Sequence, residues 1–480
     1  MTRSNGWKIF LVLVAHVIGA VSARSQVQFN TIFSFNGTDG VAPDYMFLTQ
    51  GTDGNFYGTT MSGGTDLGGV IFKIAPSGQE TILYNFCQDK VGSTCRDGSV
   101  PYAGVIQASD GNFYGTTDAG GESGLGNVFK ITPTGQFTSL YSFCALGPPC
   151  LDGNEPWAPL VQGNDGNLYG TTTQGGIYNP VGGTLFKITL DGALTTLHSF
   201  GSGDGTDPVT GLIQGPDGNY YGSVTDGGAD DGGSIYMATA DGVVTTIYNF
   251  CSLAGCTDGN GPESTLILGT DGNFYGTTEG GGTTRDGGQG TVFRITPSGQ
   301  LTTLYRFCEH PTGRQGHCPD SGKPREGLAL ISNGYVAGTT EGAFDVTTIY
   351  GISQTGNGFQ QYTRAGNTPA GLLQGTNGLI YGIGGGGTYG EGTIFSLGVG
   401  LPGFIRTTPV FGPTATPVVI LGTNLTGTTS VTFNGMQANF NIVSASEITT
   451  SVPSGATSGR VKVTTPNGTL TSNLPFTVTQ

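Results

Sequence analysis

Residues 269–307 read GTDGNFYGTTEGGGTTRDGGQGTVFRITPSGQLTTLYRF. Asp271-Gly272-Asn273 has the composition of a tight turn, because glycine accepts positive φ and Asp and Asn bond their own backbone. Ahead of it lies STLILG, an apolar β-favouring run, and behind it FYGTT. A glycine-rich loop leads to TVFRIT, which alternates apolar and polar residues as a half-buried strand should. Pro297-Ser298-Gly299 then turns the chain into LTTLYRF. The unit is four strands. No run holds a 3.6-residue apolar period, and Gly or Pro interrupts each one, which excludes helices.

The unit recurs along most of the chain. Its D/N-G anchor falls at Asp53, Asp110, Asp165, Asp217, Asp271, Asn333 and Asn377, with separations of 57, 55, 52, 54, 62 and 44 residues. Such a period, with four short strands per copy, is the mark of propeller blades. The sixth copy (SNGYVAGTTEGAF) has Ala337 where the others place tyrosine, and the seventh (TNGLIYGIGGGG) is shortened. Residues 27–35, VQFNTIFSF, read as a fourth strand without the first three. The seventh copy is the complement: it supplies three strands and stops at Leu397. The first segment therefore completes the last blade and closes a ring, which removes exposed sheet edges. The expectation is an all-β chain with a seven-bladed β-propeller over residues 27–398, closed by its N-terminal strand. Each first strand is introduced by a proline (Pro43, Pro101, Pro156, Pro208, Pro262, Pro324, Pro369), where no ladder donor is sacrificed.

Residues 1–25 have a charged start (Arg3, Lys8), an apolar run from Ile9 to Val21, and small residues around Ser22-Ala23. That pattern reads as a secretory signal, with an uncleaved N-terminal anchor as the alternative. The run is short of the roughly 20 residues of a membrane span, and no other stretch is apolar enough, so the mature chain is expected to have no span. Glycine, 88 of 480 residues, sits at the turns and loops of the repeat. A formal net charge of −15 without a basic cluster argues against nucleic acid and against an anionic membrane surface.

The eight cysteines form four close pairs: Cys87 and Cys95, Cys144 and Cys150, Cys251 and Cys256, Cys308 and Cys318. The first of each pair directly follows the fourth-strand motif, and the third copy has Gly201 there instead. An even count, local pairing and a signal segment imply disulfides in an oxidising compartment. At CEHPTGRQGHC, His310 and His317 beside Cys308 and Cys318 offer a zinc-like set as the alternative, although the equivalent loops lack histidine.

After Gly398 a Gly/Pro linker, residues 399–403, leads to a segment of different texture, residues 404–480. Its β-runs (PVVILG, SVTFNG, ANFNIVS, EITTSVP, GRVKVTTP, LPFTVT) have turn signals between them, as in a small immunoglobulin-like β-sandwich.

The recurring DGNFYGTT…GG…GTVFKITPSG…TTLYSF pattern, clearest over residues 53–86, 110–143 and 271–307, resembles the GloVer tandem repeat of bacterial exported proteins. The resemblance covers roughly residues 30–397 and brings no catalytic residues. Residues 404–480 look like an IPT/TIG domain, carried by Pro409…Gly412, VVILGTNL, VTFNG, ITTSVP and the closing PFTVT. That likeness implies a module that spaces, supports or binds.

The turns D-G-N and P-x-G are short and lie on one face of the ring. The cysteine and glycine-rich loops are longer, vary, and lie on the other, where function tends to sit. The residue or two after each first-strand proline should line the channel mouth there: Tyr45, Tyr102 and Trp157 in neighbouring blades, Glu263 and Arg325 opposite. Such aromatics suit stacking on sugar rings, or they plug the channel. Asp118, Glu279 and Glu341, after the second strand, raise glycoside hydrolysis as an alternative. Beyond the signal segment only His198, His310 and His317 remain, which leaves no Ser-His-Asp set, and no phosphate-binding glycine motif opens a helix. No cofactor is implied, apart from structural Ca²⁺ in the loops GSGDGTD and TDGGADDGG, which turn chemistry explains equally well. The expectation is a secreted or surface monomer, a non-catalytic binder of an extracellular glycan or surface protein, with a polysaccharide-active enzyme as its rival.

Overall fold

The computed structural model describes residues 27–41, 46–178, 182–201, 203–283, 288–309, 318, 320–325, 327–341, 347–365 and 371–479. The signal segment, Tyr45, His310 and His317 lie outside them. Among the described residues, seven four-stranded antiparallel sheets carry the repeats. In the fifth, the strands are Ile267–Leu268, Phe274–Thr278, Thr291–Ile295 and Leu301–Arg306. The first strand is two residues long, shorter than STLILG suggested, and the first strands of the fifth, sixth and seventh blades touch in succession. The second strand is buried throughout, while the fourth is partly exposed at the rim.

The ring closes as the sequence implies. Gln28–Ser34 pairs with Thr393–Gly398, making the N-terminal segment the fourth strand of the seventh sheet. The F-Y dipeptide of the second strand joins neighbouring blades, because adjacent strand residues face opposite sides of a sheet. Tyr57 stacks on Phe113 with ring centroids 3.9 Å apart, Tyr221 meets Phe274 at 4.2 Å, and Tyr381 of the last blade meets Phe56 of the first at 4.1 Å. The glycine that follows is required by space: a Cβ on Gly58 would lie 2.6 Å from Cζ of Phe72.

The D-G-N anchor carries more than a turn. Asp53 accepts from its own Asn55 N–H at 3.0 Å, from the Tyr57 hydroxyl at 2.8 Å, and pairs with Lys73 at 2.7 Å. A girdle of glutamines runs above it. The Thr52 N–H donates to Gln107, Ser109 N–H to Gln162, Asn164 N–H to Gln214, Ser332 N–H to Gln374, and Thr376 N–H to Gln50, the last across the closure. The fifth and sixth blades have Leu268 and Leu330 at that place. At the Leu330 place Gln354 substitutes, accepting from Thr270 N–H at 2.9 Å and donating to Gly334 O at 2.7 Å, beside the tyrosine-free Ala337.

All four cysteine pairs are disulfides, so the sulfurs of Cys308 and Cys318 are not available for the zinc-like alternative. An aspartate two residues after each second cysteine holds the same loop. Asp97, Asp152, Asp258 and Asp320 each accept from a fourth-strand tyrosine hydroxyl, Tyr84, Tyr141, Tyr248 and Tyr305, all at 2.8 Å. In the cysteine-free third blade, Asp204 does this with His198 at 2.5 Å and with Gly201 N–H at 2.8 Å.

Residues 404–479 form two sheets around a core of Ile420, Leu425, Val431, Phe433, Ile448, Val461 and Phe476. Strands Pro417–Leu421, Ser430–Phe433, Phe440–Ile442, Glu447–Ser451 and Gly459–Thr465 coincide with the β-runs, and the last run belongs to a longer strand, Gly468–Val478. The sandwich sits on the D-G-N turn face. Ser446 Oγ donates to Thr52 O at 2.6 Å, Arg406 to Gln374 O at 2.9 Å, and the Thr376 and Thr423 hydroxyls meet at 2.8 Å. Val410 packs with the Leu266 and Leu268 cluster, so the module spans the first, fifth and seventh blades. The linker is docked too, with Val399 and Leu401 packed against the Ala329 and Leu397 cluster. No helix among the described residues is long and apolar enough to cross a membrane.

Candidate functional site

On the face opposite the sandwich, a cleft of about 460 Å³ opens at the channel mouth. Its walls are set by a backbone device repeated in each blade described there. The residue before the first-strand proline is left-handed: Val100 (φ 55°), Glu155 (56°), Asp207 (57°), Gly261 (64°) and Lys323 (54°). Four of these carry a side chain, and left-handed backbone there is a strained choice that persists only when its surroundings hold it. Glu155 N–H donates to Leu125 O of the preceding blade at 3.1 Å, and Glu155 O accepts from Thr173 N–H at 3.0 Å. The same two bonds recur at Val100, Asp207, Gly261 and Lys323. The chain is thus pinned between two blades, with the residue after the proline delivered beside the residue after the second strand.

This juxtaposition makes an aromatic side and an ionic side. On the first, Tyr102 and Trp157 stack with centroids 4.9 Å apart and ring planes 22° apart. The indole N–H of Trp157 donates to Asp118 Oδ1 at 2.6 Å, and the residue stays 38% exposed. Burial raises the Asp118 carboxyl above its ordinary range, and the indole bond offsets only part of this. Glu155 is raised too, by burial and then by Asp118, while Gln174 donates to it at 2.6 Å. Asp207 is raised by burial and by Asp226.

On the ionic side, Arg325 Nη2 donates to Glu279 Oε1 at 2.5 Å, and its Nε lies 3.7 Å from Glu263 and 3.4 Å from Glu341. Lys323 adds a second cation to Glu279 at 3.3 Å. Glu279 is held ionised by Arg325 and Lys323 against its burial, whereas Glu263 is pushed up to about 7 by burial and by Glu279 beside it.

Four of the residues expected at the mouth, Tyr102, Trp157, Glu263 and Arg325, line this one cleft; Tyr45 lies outside the described residues. Of the three acids read after the second strand, Asp118 belongs to the aromatic side, and Glu279 and Glu341 to the ionic side. Sequence reasoning missed Glu155, Asp207 and Lys323, whose signal was their place before the proline. It also missed Phe47, which lines the cleft and lies against glycines of two other blades: a Cβ on Gly371 would be 2.1 Å from its ring, and one on Gly327 2.7 Å. Phe47 stands where those blades have Gly327 and Gly371, so it fills channel space while Trp157 stays open. Asp204 of the GSGDGTD loop is engaged by His198, and among the described residues no three metal-ligating side chains come together.

A ring of four-stranded blades with a loop-face cleft and a docked sandwich defines a β-propeller carrying an immunoglobulin-like module. The chain belongs to the Gloeobacter/Verrucomicrobia repeat family, which matches residues 18–149 and 147–352, and residues 404–478 match the IPT/TIG domain. Comparison with curated proteins gives no match. Among solved structures, it is similar to a fungal alcohol oxidase of the AA5 family in complex with copper, at 12% identity and a TM-score of 0.51, covering 94% of this chain and 99% of that one. It is also similar to the WD40 repeats of RRP9, at 10% identity and a TM-score of 0.50, covering 78% and 99%. These likenesses bear on the fold alone.

Proposed function

We propose that this chain is an exported, non-catalytic binding protein that takes an extracellular glycan at the loop-face cleft. The observation that carries the reading is the Tyr102–Trp157 stack, tied by the Asp118 bond, with Trp157 38% exposed and lining the cleft. An aromatic plane with polar groups at its edge suits the apolar face and hydroxyl rim of a sugar ring. Support comes from the acids: Asp118 is tied to the indole, and Glu279 to Arg325 and Lys323, an arrangement that fixes shape. The four disulfides and the IPT/TIG module fit a role outside the cell.

The test is a glycan array and polysaccharide pull-down with the mature protein, together with analysis of the bound material. Retention of intact glycan, lost in Trp157→Ala and Tyr102→Ala, is the expected result. Unchanged binding by both variants would overturn the placement at this cleft. The second reading, a polysaccharide-active enzyme, is favoured by one observation: a Glu263 carboxyl that holds its proton up to about 7 next to an ionised Glu279. Release of cleaved product, abolished by Glu263→Gln, would establish it.

A further inference from the structure

The glycan reading leaves open which class of sugar the cleft takes, and the charges around the aromatic stack narrow it. Asp118, Glu155, Asp207 and Asp226 belong to the second, third and fourth blades, on the Trp157 side. Among the described residues none of them pairs with a Lys or Arg. Arg325 of the cleft wall and Lys323 beside it stand on the other side and are already shared among Glu263, Glu279 and Glu341. With both cations engaged by these carboxyls, that side has no free positive charge to offer. An anionic polymer such as a polyuronate or sulfated glycan would therefore meet like charge on the Trp157 side and no free cation opposite.

Resting on the glycan reading, we infer that the cleft recognises an amino sugar bearing a free ammonium group, stacked on Trp157 with its charge toward Asp118 and Glu155. Three independent features converge on this. The partly exposed indole of Trp157 suits a cation as well as a sugar ring, because the π-system is negative above its plane. Asp118 lies at the edge of that same indole, 2.6 Å from its Nε1, so stacking and charge recognition fall within one sugar's width. The acids on this side repel one another in partial burial, and an ammonium among them relieves that repulsion. A metal ion is a poorer occupant, since no three metal-ligating side chains converge among the described residues. A lysine-rich peptide would satisfy the charges but would leave the flat Tyr102–Trp157 platform without a ring to stack on it.

The experiment measures binding of the full mature chain to three probes at moderate and high salt: β-linked glucosamine oligomers, the same oligomers fully N-acetylated, and oligogalacturonate. The inference expects the glucosamine oligomer to bind about tenfold or more tightly than its acetylated form, and the galacturonate least. It also expects the preference to shrink with salt and to vanish in Asp118→Asn/Glu155→Gln. Equal affinity for the two hexosamine oligomers, or a preference for galacturonate, overturns the inference and leaves the glycan reading standing. Binding of oligolysine with the same dependence on Trp157, Asp118 and Glu155, and tighter than the glucosamine oligomer, also overturns it, in favour of a cationic peptide. A chain with wild-type thermal unfolding that retains none of the sugars overturns both.

Discussion

The indole N–H of Trp157 and the Oδ1 of Asp118 meet at 2.6 Å across two adjacent blades, and this one bond sets the plane on which the cleft is built. Removing the donor while keeping an aromatic ring separates orientation from stacking. Trp157→Phe is expected to weaken glycan binding by about tenfold, whereas Trp157→Ala abolishes it. Because Asp118 then lacks its donor in a partly buried place, Trp157→Phe should also lower stability by about 1 kcal/mol. Titration calorimetry and denaturant unfolding on the same preparations check both effects. Full-strength binding by Trp157→Phe would show that the bond does not orient the ring.

The disulfide loops depend on their aspartates as much as on their sulfurs. Asp152 is 9% exposed and accepts from Tyr141 Oη at 2.8 Å and Ala145 N–H at 3.0 Å. Asp152→Ala strands both donors and should cost about 2–3 kcal/mol. Replacing Cys144 and Cys150 by serine should cost about 2 kcal/mol, since the closed loop is short. The two effects are expected to be less than additive, because each secures the same loop against the same outer strand. Urea denaturation of the three variants measures this, and strict additivity would mean the two ties act on separate segments.

Much of the fold was legible because the physics repeats. Gly58 and its equivalents clear room for the third-strand aromatic ring, Asp53 and Tyr57 lock one turn, and this Asp–Tyr pair recurs through the fifth copy. The split closure was legible from the complementary lengths of residues 27–35 and the seventh copy. What stayed hidden depends on positions that are far apart in sequence. Asp152 looks like an ordinary loop charge until Tyr141 is seen to donate to it. Phe47 looks like another apolar strand residue until Gly327 and Gly371 are brought against it from other blades. Glu155 and Asp207 precede prolines in a left-handed backbone that the pre-proline position does not advertise. At the cleft, the residue after each proline could be read from the sequence. Its pairing with the residue after the second strand could not, because that requires the pinning bonds made to the preceding blade.

Closure of the ring has a polar component that can be removed without disturbing the apolar one. Gln50 accepts from the buried Thr376 N–H at 3.1 Å, joining the last blade to the first. Leucine is already the residue at the matching places 268 and 330, so Gln50→Leu fits the strand but leaves the Thr376 N–H without this partner. The expected loss is about 1–2 kcal/mol. In denaturant unfolding the midpoint should fall with the slope unchanged, since the surface exposed on unfolding is the same. A variant as stable as the parent would mean that the Phe56–Tyr381 contact and the strand pairing of Gln28–Ser34 are sufficient for closure.

Glu80 gives the chain a pH dependence with a definite sign. Its carboxyl sits on the fourth strand of the first blade with Oε1 buried and without a hydrogen bond, and burial, then Asp39, push it from 4.5 up to about 7. The folded state therefore holds a proton between those two values that the unfolded chain has released. By linkage, this group's contribution to stability is undiminished below about 4.5 and is lost as pH rises through about 7. Glu80→Gln removes the charge that the folded state disfavours. It should raise Tm by a few degrees at about pH 8 and leave it nearly unchanged at about pH 4, as scanning calorimetry across that range would measure. An increment that stays constant with pH would show that the gain comes from packing or hydrogen bonding of the amide, and that Glu80 keeps its ordinary titration in the fold.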